Sequence, residues 1–276
     1  MKDTYFFHHL NSRFFKVFGK DSKSFIQNLI TNDIEKCNEK DIIYSCLLTP
    51  QGKFLADFFI FNINDNYIFE TNNKYFNTLL GKLKIYKLRS DIEIEEMNNL
   101  YSYSLFNIDY HGVYNIYVND PRNVNLGKKL ITKQKILIEK DNFKEINEIE
   151  YHEILIANNT PYSPFDILEN KSLLLENNFD NLNAIDWDKG CYVGQEITAR
   201  MKYRGLLKKK LYALKIKSGD VLEGDELIVD NKKIGTIVSK ANSNIFAALN
   251  INFVNEIKNK NQNLVINDLL SFDFLN

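Results

Sequence analysis

The sequence predicts an α+β fold of more than one domain, ending in a small C-terminal β-barrel. Three observations carry that expectation. Helical and strand-like periodicities mix along residues 12–158 without the regular strand–helix alternation of a doubly wound sheet. From Lys209 onward, short apolar runs recur between Ser-Gly-Asp, Glu-Gly-Asp and Asn-rich turns. The 276 residues, 44% of them apolar, can fill two or three small cores.

Residues 12–18 (SRFFKVF) read as a first short strand, and Gly19-Lys20-Asp21 as a turn. Asp21 or Ser22 can cap a helix that places Phe25, Ile26, Leu29 and Ile30 at three-and-four spacing. Thr31-Asn32-Asp33 ends it with short side chains that bond back to the backbone. Two apolar runs, 42–48 and 54–62, flank Thr49-Pro50-Gln51-Gly52, a hairpin signal. Residues 67–70 read as a third strand, and 73–82 as a helix with Tyr75, Phe76, Leu79 and Leu80 on one side. Strands are expected again at 92–95, 101–106 and 113–118, with a weak one at 135–138, followed by a helix over 144–158 that Pro161 and Pro164 stop. The runs LYALKIK, DELIVD, IGTIVSK and IFAALNINF form the all-β C-terminal domain. The boundary near 205–210 assigns residues 1–205 to two interleaved α+β subdomains and 206–276 to the barrel.

The net charge of -1 excludes a general nucleic-acid binder with a basic surface. No apolar run approaches the roughly 18 residues of a membrane span. The opening MKDTYFFHHLNSRFF lacks the order of a secretory signal and the character of an organelle presequence. Cys37, Cys46 and Cys191 make no disulfide framework and sit in no metal-ligand spacing. The four histidines match no ligand pattern, and His8-His9, placed before the first strand, reads as exposed. The expectation is a soluble, cytoplasmic monomer without a stably bound metal.

The densest motif is Lys189-Gly190-Cys191-Tyr192-Val193-Gly194-Gln195-Glu196. Gly190 and Gly194 permit tight backbone geometry that side chains forbid, leaving Cys191 fixed with little cover. Lys189 would favour a thiolate if the two side chains converge. Gln195 and Glu196 can reach a helix N-terminus or a polar ligand. The residues alone leave two readings open: a working thiol, or a small buried hydrophobe beside a turn. Residues 200–210 hold Arg200, Lys202, Arg204, Lys208, Lys209 and Lys210 without an acid. They form either a solvated face or a cationic rim for a polyanion.

The string KGCYVGQEITAR resembles the signature of the YgfZ family and its mitochondrial iron–sulfur assembly relatives, K-G-C-Y-x-G-Q-E followed by Arg. Lys189, Gly190, Cys191, Tyr192, Gly194, Gln195, Glu196 and Arg200 meet it. RFFKVFGKDSKSFIQNLITNDI resembles the family opening, LLTPQGKFLADFFIF its hairpin, ENNFDNLNAIDWDKG the run before the signature, and IGTIVSK a barrel strand.

The family shares its fold with the glycine-cleavage T-protein, an aminomethyltransferase. The resemblance therefore implies an aminomethyltransferase-like multidomain fold around a central cavity that holds tetrahydrofolate or a related reduced folate. It implies support of iron–sulfur cluster assembly or repair in client enzymes, tRNA-modifying enzymes among them, with Cys191 as the working thiol. Asn32, Asp33, Asp57, Gln195 and Glu196 become candidate folate contacts, and 200–210 a candidate tRNA contact. T-proteins carry two adjacent Asp residues after the hairpin Gly; here the pair reads Ala56-Asp57. The alternatives are a folate-dependent one-carbon transferase using Asp57, and a non-catalytic scaffold docking partners through 200–210.

Overall fold

The computed structural model describes residues 4–38, 41–136, 143–260, 263–266 and 269–275. The chain divides into two compact units, one of Met1–Ile146, Glu169–Lys171 and Asp180–Ile197, the other of Asn147–Leu168, Ser172–Phe179 and Thr198–Asn276.

The first unit carries strands β1 (Tyr5–His8), β2 (Ser12–Phe18), β3 (Ile43–Leu48), β4 (Phe54–Ile63), β5 (Asn66–Asn72), β6 (Glu93–Met97), β7 (Tyr101–Phe106), β8 (Ile116–Asn119), β9 (Lys128–Thr132) and β10 (Lys144–Glu145). Its helices are α1 (Ser22–Gln27) and α2 (Asn73–Lys87). One sheet runs β3-β4-β5-β2-β6, the other β10-β1-β7-β9-β8. In the first sheet alternate residues take opposite faces. Phe15, Phe58 and Phe69 share one face, where Phe15 stacks on Phe69 at 4.8 Å and meets Phe76 of α2 at 6.0 Å. Ala56, two residues before Phe58, belongs to this aromatic core and is fully buried. The other face carries Tyr44, Asp57, Phe59 and Glu70, whose register pairs Tyr44 with Phe59 and Phe59 with Glu70.

Charge is buried between the two sheets. Lys129 of β9 meets Glu70 at 2.9 Å, and the two side chains are 1% and 4% exposed. Ser102 Oγ accepts from the same ammonium at 3.0 Å, and Ser12 Oγ donates to Glu70 at 2.7 Å. Such a pair survives burial only when these extra hydrogen bonds satisfy it.

The second unit contains α3 (Glu148–Ala157), α4 (Ser163–Asp166) and the greater part of α5 (Gln195–Arg204). After them come β11 (Lys209–Ser218), β12 (Glu226–Val229), β13 (Lys232–Ala241), β14 (Asn244–Asn250), α6 (Ile251–Asn259), β15 (Leu264–Ile266) and β16 (Leu270–Phe274). The strand order is β12-β13-β14-β11-β16-β15, and the edges β12 and β15 approach one another, so the sheet is a nearly closed barrel. Leu214, Ile237, Ile245, Leu249 and Phe272 fill it.

Several expectations are corrected. The C-terminal region is not all-β. Asn250 accepts a hydrogen bond from the Phe253 N–H at 3.2 Å and starts α6, so Ile251, Asn252 and Phe253 leave the strand they were read into. His8 is not exposed; it lies in β1, which pairs with β7, and its ring stacks on Tyr103 at 4.5 Å. His9 bonds Ser104 at 2.9 Å. Burial, then the charges of Lys129, Arg122 and His8, holds His9 well below the usual imidazole range. Helix α1 stops at Gln27, before Leu29 and Ile30; Ile30 instead bridges to Leu47. Asp21 makes no side-chain cap bond and accepts from the Asp91 N–H at 2.9 Å. The expected helix over 144–158 begins at Glu148, because Asn147 and Glu150 form a capping box, and Lys144–Glu145 is β10. Of the weak strand at 135–138, residues 137 and 138 lie outside the described residues, and 135–136 are not in a strand.

Candidate functional site

The site is built on the turn between β3 and β4. The Gly52 N–H donates to the Thr49 carbonyl at 2.8 Å, and the Thr49 N–H to the Lys53 carbonyl at 2.8 Å. Gly52 has φ +72°, a left-handed conformation that an L side chain resists. Its reason is a close approach. A Cβ there would lie 2.9 Å from Ile197 Cβ and 3.0 Å from the Gly194 carbonyl oxygen. Gly194, at φ +83°, meets the same turn from the other side, and a Cβ on it would overlap the Thr49 carbonyl and sit 2.9 Å from Leu48 Cβ. The hairpin tip and the 189–196 loop are thus packed backbone to backbone. Gly190 differs: it has no positive φ, and nothing lies within 4 Å of its Cβ position. The expectation that both glycines serve tight geometry holds for Gly194 alone.

The loop is tied on its other side to the segment after α1. The Lys189 ammonium donates to three carbonyls, of Gln27 at 2.8 Å, Ile30 at 2.7 Å and Asn32 at 2.8 Å. An ammonium has three N–H groups, so these carbonyls engage all of them. Burial pushes Lys189 down to about 8, against the pull of the Asp33 and Asp186 carboxylates. Asp186 accepts from the N–H groups of Asp188 at 2.8 Å and Lys189 at 2.9 Å and pairs with Lys36 at 2.5 Å. Burial alone would raise its carboxyl, but Lys36 and those N–H groups outweigh it and the net displacement is downward. The Val193 N–H donates to the Asn28 carbonyl at 3.1 Å, and Thr31 Oγ1 to the Ala184 carbonyl at 2.6 Å.

Cys191 lies exposed in this braced loop, while Cys37 and Cys46 are buried. Burial, then Asp41, pushes the Cys37 thiol up to about 12. Burial, then Asp57, raises Cys46 well above the thiol range. Both are protonated and inert at neutral pH. Of the three sulfurs, Cys191 alone is open to a reactant.

On the same turn's outgoing strand, Asp57 is half-buried and accepts a hydrogen bond from Tyr44 OH at 2.6 Å. Burial, then the Asp57 charge, drives the phenol well above its ordinary range, so Tyr44 stays a donor. Tyr44 meets Phe59 at 5.0 Å. Arg122 lies 5.6 Å from the Tyr44 ring and 5.1 Å from Phe59, gripped by Asp120 at 3.0 and 2.8 Å. This corner brings a half-buried carboxylate, the buried Tyr44–Phe59 pair and a fixed, buried cation into one framework.

Residues 7–107 match the model of the GCVT N-terminal domain. The chain is 27% identical over 226 residues to the mitochondrial iron–sulfur cluster assembly factor IBA57 homolog of Mycosarcoma maydis, covering 72% of this chain and 54% of that protein. It is 26% identical over 245 residues to the tRNA-modifying protein YgfZ of Aliivibrio fischeri strain MJ11, covering 81% and 76%. A fold comparison superposes it on the glycine cleavage system aminomethyltransferase T of Bartonella henselae with TM-score 0.73, covering 91% and 79% at 9% identity. The chain is thus similar to the YgfZ and IBA57 proteins, and its residues 7–107 to the GCVT N-terminal domain. It spans about half the length of the fungal relatives it matches, 54% and 51%. The aminomethyltransferase-like fold is the one the sequence leads to expect.

The sequence-predicted residues fall into three groups. Lys189, Gly194 and Asn32 are framework. The Asn32 amide donates to the Tyr44 carbonyl at 2.8 Å and the Asn183 carbonyl at 2.7 Å, and its Oδ1 accepts from the Asp33 N–H at 2.8 Å. Asp33 caps a short 3₁₀ turn and accepts from Gln27 at 2.8 Å. The Gln195 side chain accepts from the Tyr192 N–H at 3.2 Å, closing the loop onto α5. Cys191, Glu196 and Arg200 are exposed, and Tyr192 is half-buried with the Lys189 ammonium 5.2 Å from its ring. Asp57 stands on the Tyr44 face of its sheet. Lys189 does not serve the thiol as expected, because the three carbonyls engage its donors. Of 200–210, Lys209 pairs with Glu176 at 3.5 Å. Sequence reasoning missed Tyr44, Phe59 and Arg122. Tyr44 and Phe59 sit in apolar runs that read only as core, and Arg122 follows Pro121 in a stretch without a recognisable motif.

Proposed function

We propose that this chain binds a reduced folate against the Asp57 face of the β3–β4 hairpin and supports iron–sulfur cluster assembly or repair through Cys191. The observation that carries the reading is the close packing of Gly194 on Gly52. It puts an exposed thiol loop and the Asp57 strand on one rigid support, within one compact unit. The names of the IBA57 and YgfZ relatives, an iron–sulfur assembly factor and a tRNA-modifying protein, agree with this assignment.

The residues at Asp57 fit a reduced pterin. Such a ring presents N–H groups, for which a half-buried carboxylate is an acceptor. When bound, the folate would supply a reduced heteroaromatic carrying a one-carbon position. The chain's own part is to orient that ring and shield it. Cys191, after losing its proton to solvent, offers a thiolate to iron of a client's cluster during assembly. One thiolate is a transient ligand, since a stable cluster takes about four. Asn32, Asp33 and Gln195 act by holding the loop, and Glu196 is exposed just after it. A tRNA contact through 200–210 would be weak and salt-sensitive.

The test is paired. Calorimetry with tetrahydrofolate should give binding to wild type that Asp57→Ala loses. Complementation of a host lacking its own homologous factor should fail with Cys191→Ala although that variant folds. Full rescue by Cys191→Ala would remove the thiol from the proposal; no heat with wild type would remove the folate.

A further inference from the structure

We propose that Tyr44 is a positioning residue for the Asp57 carboxylate: its hydroxyl fixes the orientation of that group and keeps it ionised at the face where a ligand N–H is received. The inference rests on the folate reading for the ligand, but the geometry stands by itself. Tyr44 is 1% exposed, and its OH reaches Asp57 Oδ2 at 2.6 Å, the short distance of a hydrogen bond to a charged acceptor. The phenol is locked from three directions. Its ring packs on Phe59 at 5.0 Å, its own carbonyl takes the Asn32 amide at 2.8 Å, and Arg122 stands over it at 5.6 Å. Arg122 is itself held by a bidentate grip on Asp120, both side chains buried. A donor this constrained selects one rotamer of the carboxylate, leaving the second oxygen to a direction set by the strand.

Among the described residues, Cys46, Arg122 and Lys129 face this pair. Cys46 lies directly across the ladder from Asp57 and is a protonated thiol. Arg122 faces the phenol from the loop after β8. Lys129 sits 4.1 Å over Phe59, but Glu70 at 2.9 Å compensates its charge. The hydroxyl of Tyr44 touches the carboxylate directly, at 2.6 Å from Oδ2. A hydrogen bond to the ionised form favours that form, so its loss makes the carboxylate easier to protonate.

The experiment compares wild type, Tyr44→Phe and Asp57→Asn. The Asp57 side-chain carbonyl carbon is titrated by NMR without ligand, and tetrahydrofolate affinity is measured by calorimetry from pH 5 to 8. Tyr44→Phe keeps the ring and its packing. It should move the Asp57 titration upward by about one pH unit and weaken folate binding by about tenfold at neutral pH. The acid limb of the binding profile should move upward with the titration. Asp57→Asn should lose the acid limb altogether. An unmoved Asp57 titration in a folded Tyr44→Phe overturns the proposal, as does a uniform loss of affinity with an unmoved acid limb. A shifted titration together with no folate binding to any variant upholds the Tyr44 role and refutes the folate reading instead.

Discussion

Replacing each of the two signature glycines by alanine should have opposite outcomes. Gly194→Ala places a methyl group into the Thr49 carbonyl and 2.9 Å from Leu48 Cβ, at a backbone φ of +83°. The left-handed conformation costs an alanine about 1–2 kcal/mol. Relieving an overlap with backbone, where no flexible side-chain end can yield, costs about 1–3 kcal/mol more. The sum, about 2–5 kcal/mol, should lower the urea midpoint of the first unit by roughly 1–2 M. Gly190→Ala meets nothing within 4 Å and no positive φ, so it should fall within about 0.5 kcal/mol of wild type. Gly81→Ala serves as the internal control. Gly81 lies inside α2 with open space around it, and alanine there should stabilise by about 0.8–1.0 kcal/mol. Gly52→Ala should resemble Gly194→Ala. The double variant should cost less than the sum, because one separation of turn and loop relieves both contacts. Urea unfolding followed by near-ultraviolet circular dichroism gives all five values. Equal shifts for Gly190→Ala and Gly194→Ala, or a strictly additive double variant, would refute the close approach on which the site is argued.

In the native protein a small alkylating reagent should modify Cys191 and leave Cys37 and Cys46 untouched until denaturant is added; mass spectrometry of the digests reads this directly. Lys189→Met strands three carbonyls and should destabilise by about 2–3 kcal/mol, and arginine, with its planar fork, should not restore them. Lys189 falls to about 8 when folded, against an ordinary value near 10.4 when unfolded. Between those pH values the unfolded chain binds the extra proton, so the contribution of this group to stability rises with pH across that window, and Lys189→Met should flatten the rise. Lys129→Met leaves Glu70 buried without its cation and should cost about 3–5 kcal/mol, while Lys129→Met with Glu70→Leu should recover much of it, both read from thermal unfolding.

Local signals were legible in the sequence, and long-range ones were not. The hairpin announced itself through Pro50 and Gly52 between two apolar runs, and β7 through the Tyr-Ser alternation that opens Tyr101–Phe106. Strand β1 was missed because its pairing partner β7 lies far along the chain and no turn residue precedes it. Strand β10, two residues long, exists only because β1 offers it a parallel edge. Helix α6 was hidden because Ile251 and Phe253 extend the apolar texture of β14, and only the Asn250 cap separates them. At the site, the condition set on Lys189, that its side chain converge with Cys191, was not legible in the sequence. From sequence, Lys189 is two residues from Cys191; in the fold its nearest partners are carbonyls contributed by the end of α1. Proximity in sequence says nothing of where a four-carbon side chain points.

The Ala56-Asp57 pair shows how strand parity changes an argument about chemistry. T-proteins have two carboxylates there, and in sequence the loss of one reads as the loss of a transferase only if the working carboxylate is the one at 56. Adjacent residues of a strand face opposite sides, however. Ala56 belongs to the face of Phe58 and Phe69 and is fully buried there, whereas Asp57 belongs to the face of Tyr44. A carboxylate at 56 in this chain would lie in aromatic core and could not join Asp57 on one ligand. The carboxylate on the Tyr44 face is therefore the one that remains, and Ala56 by itself does not separate binding from transfer. The weight falls on the other feature of the framework, an exposed thiol braced against the same hairpin.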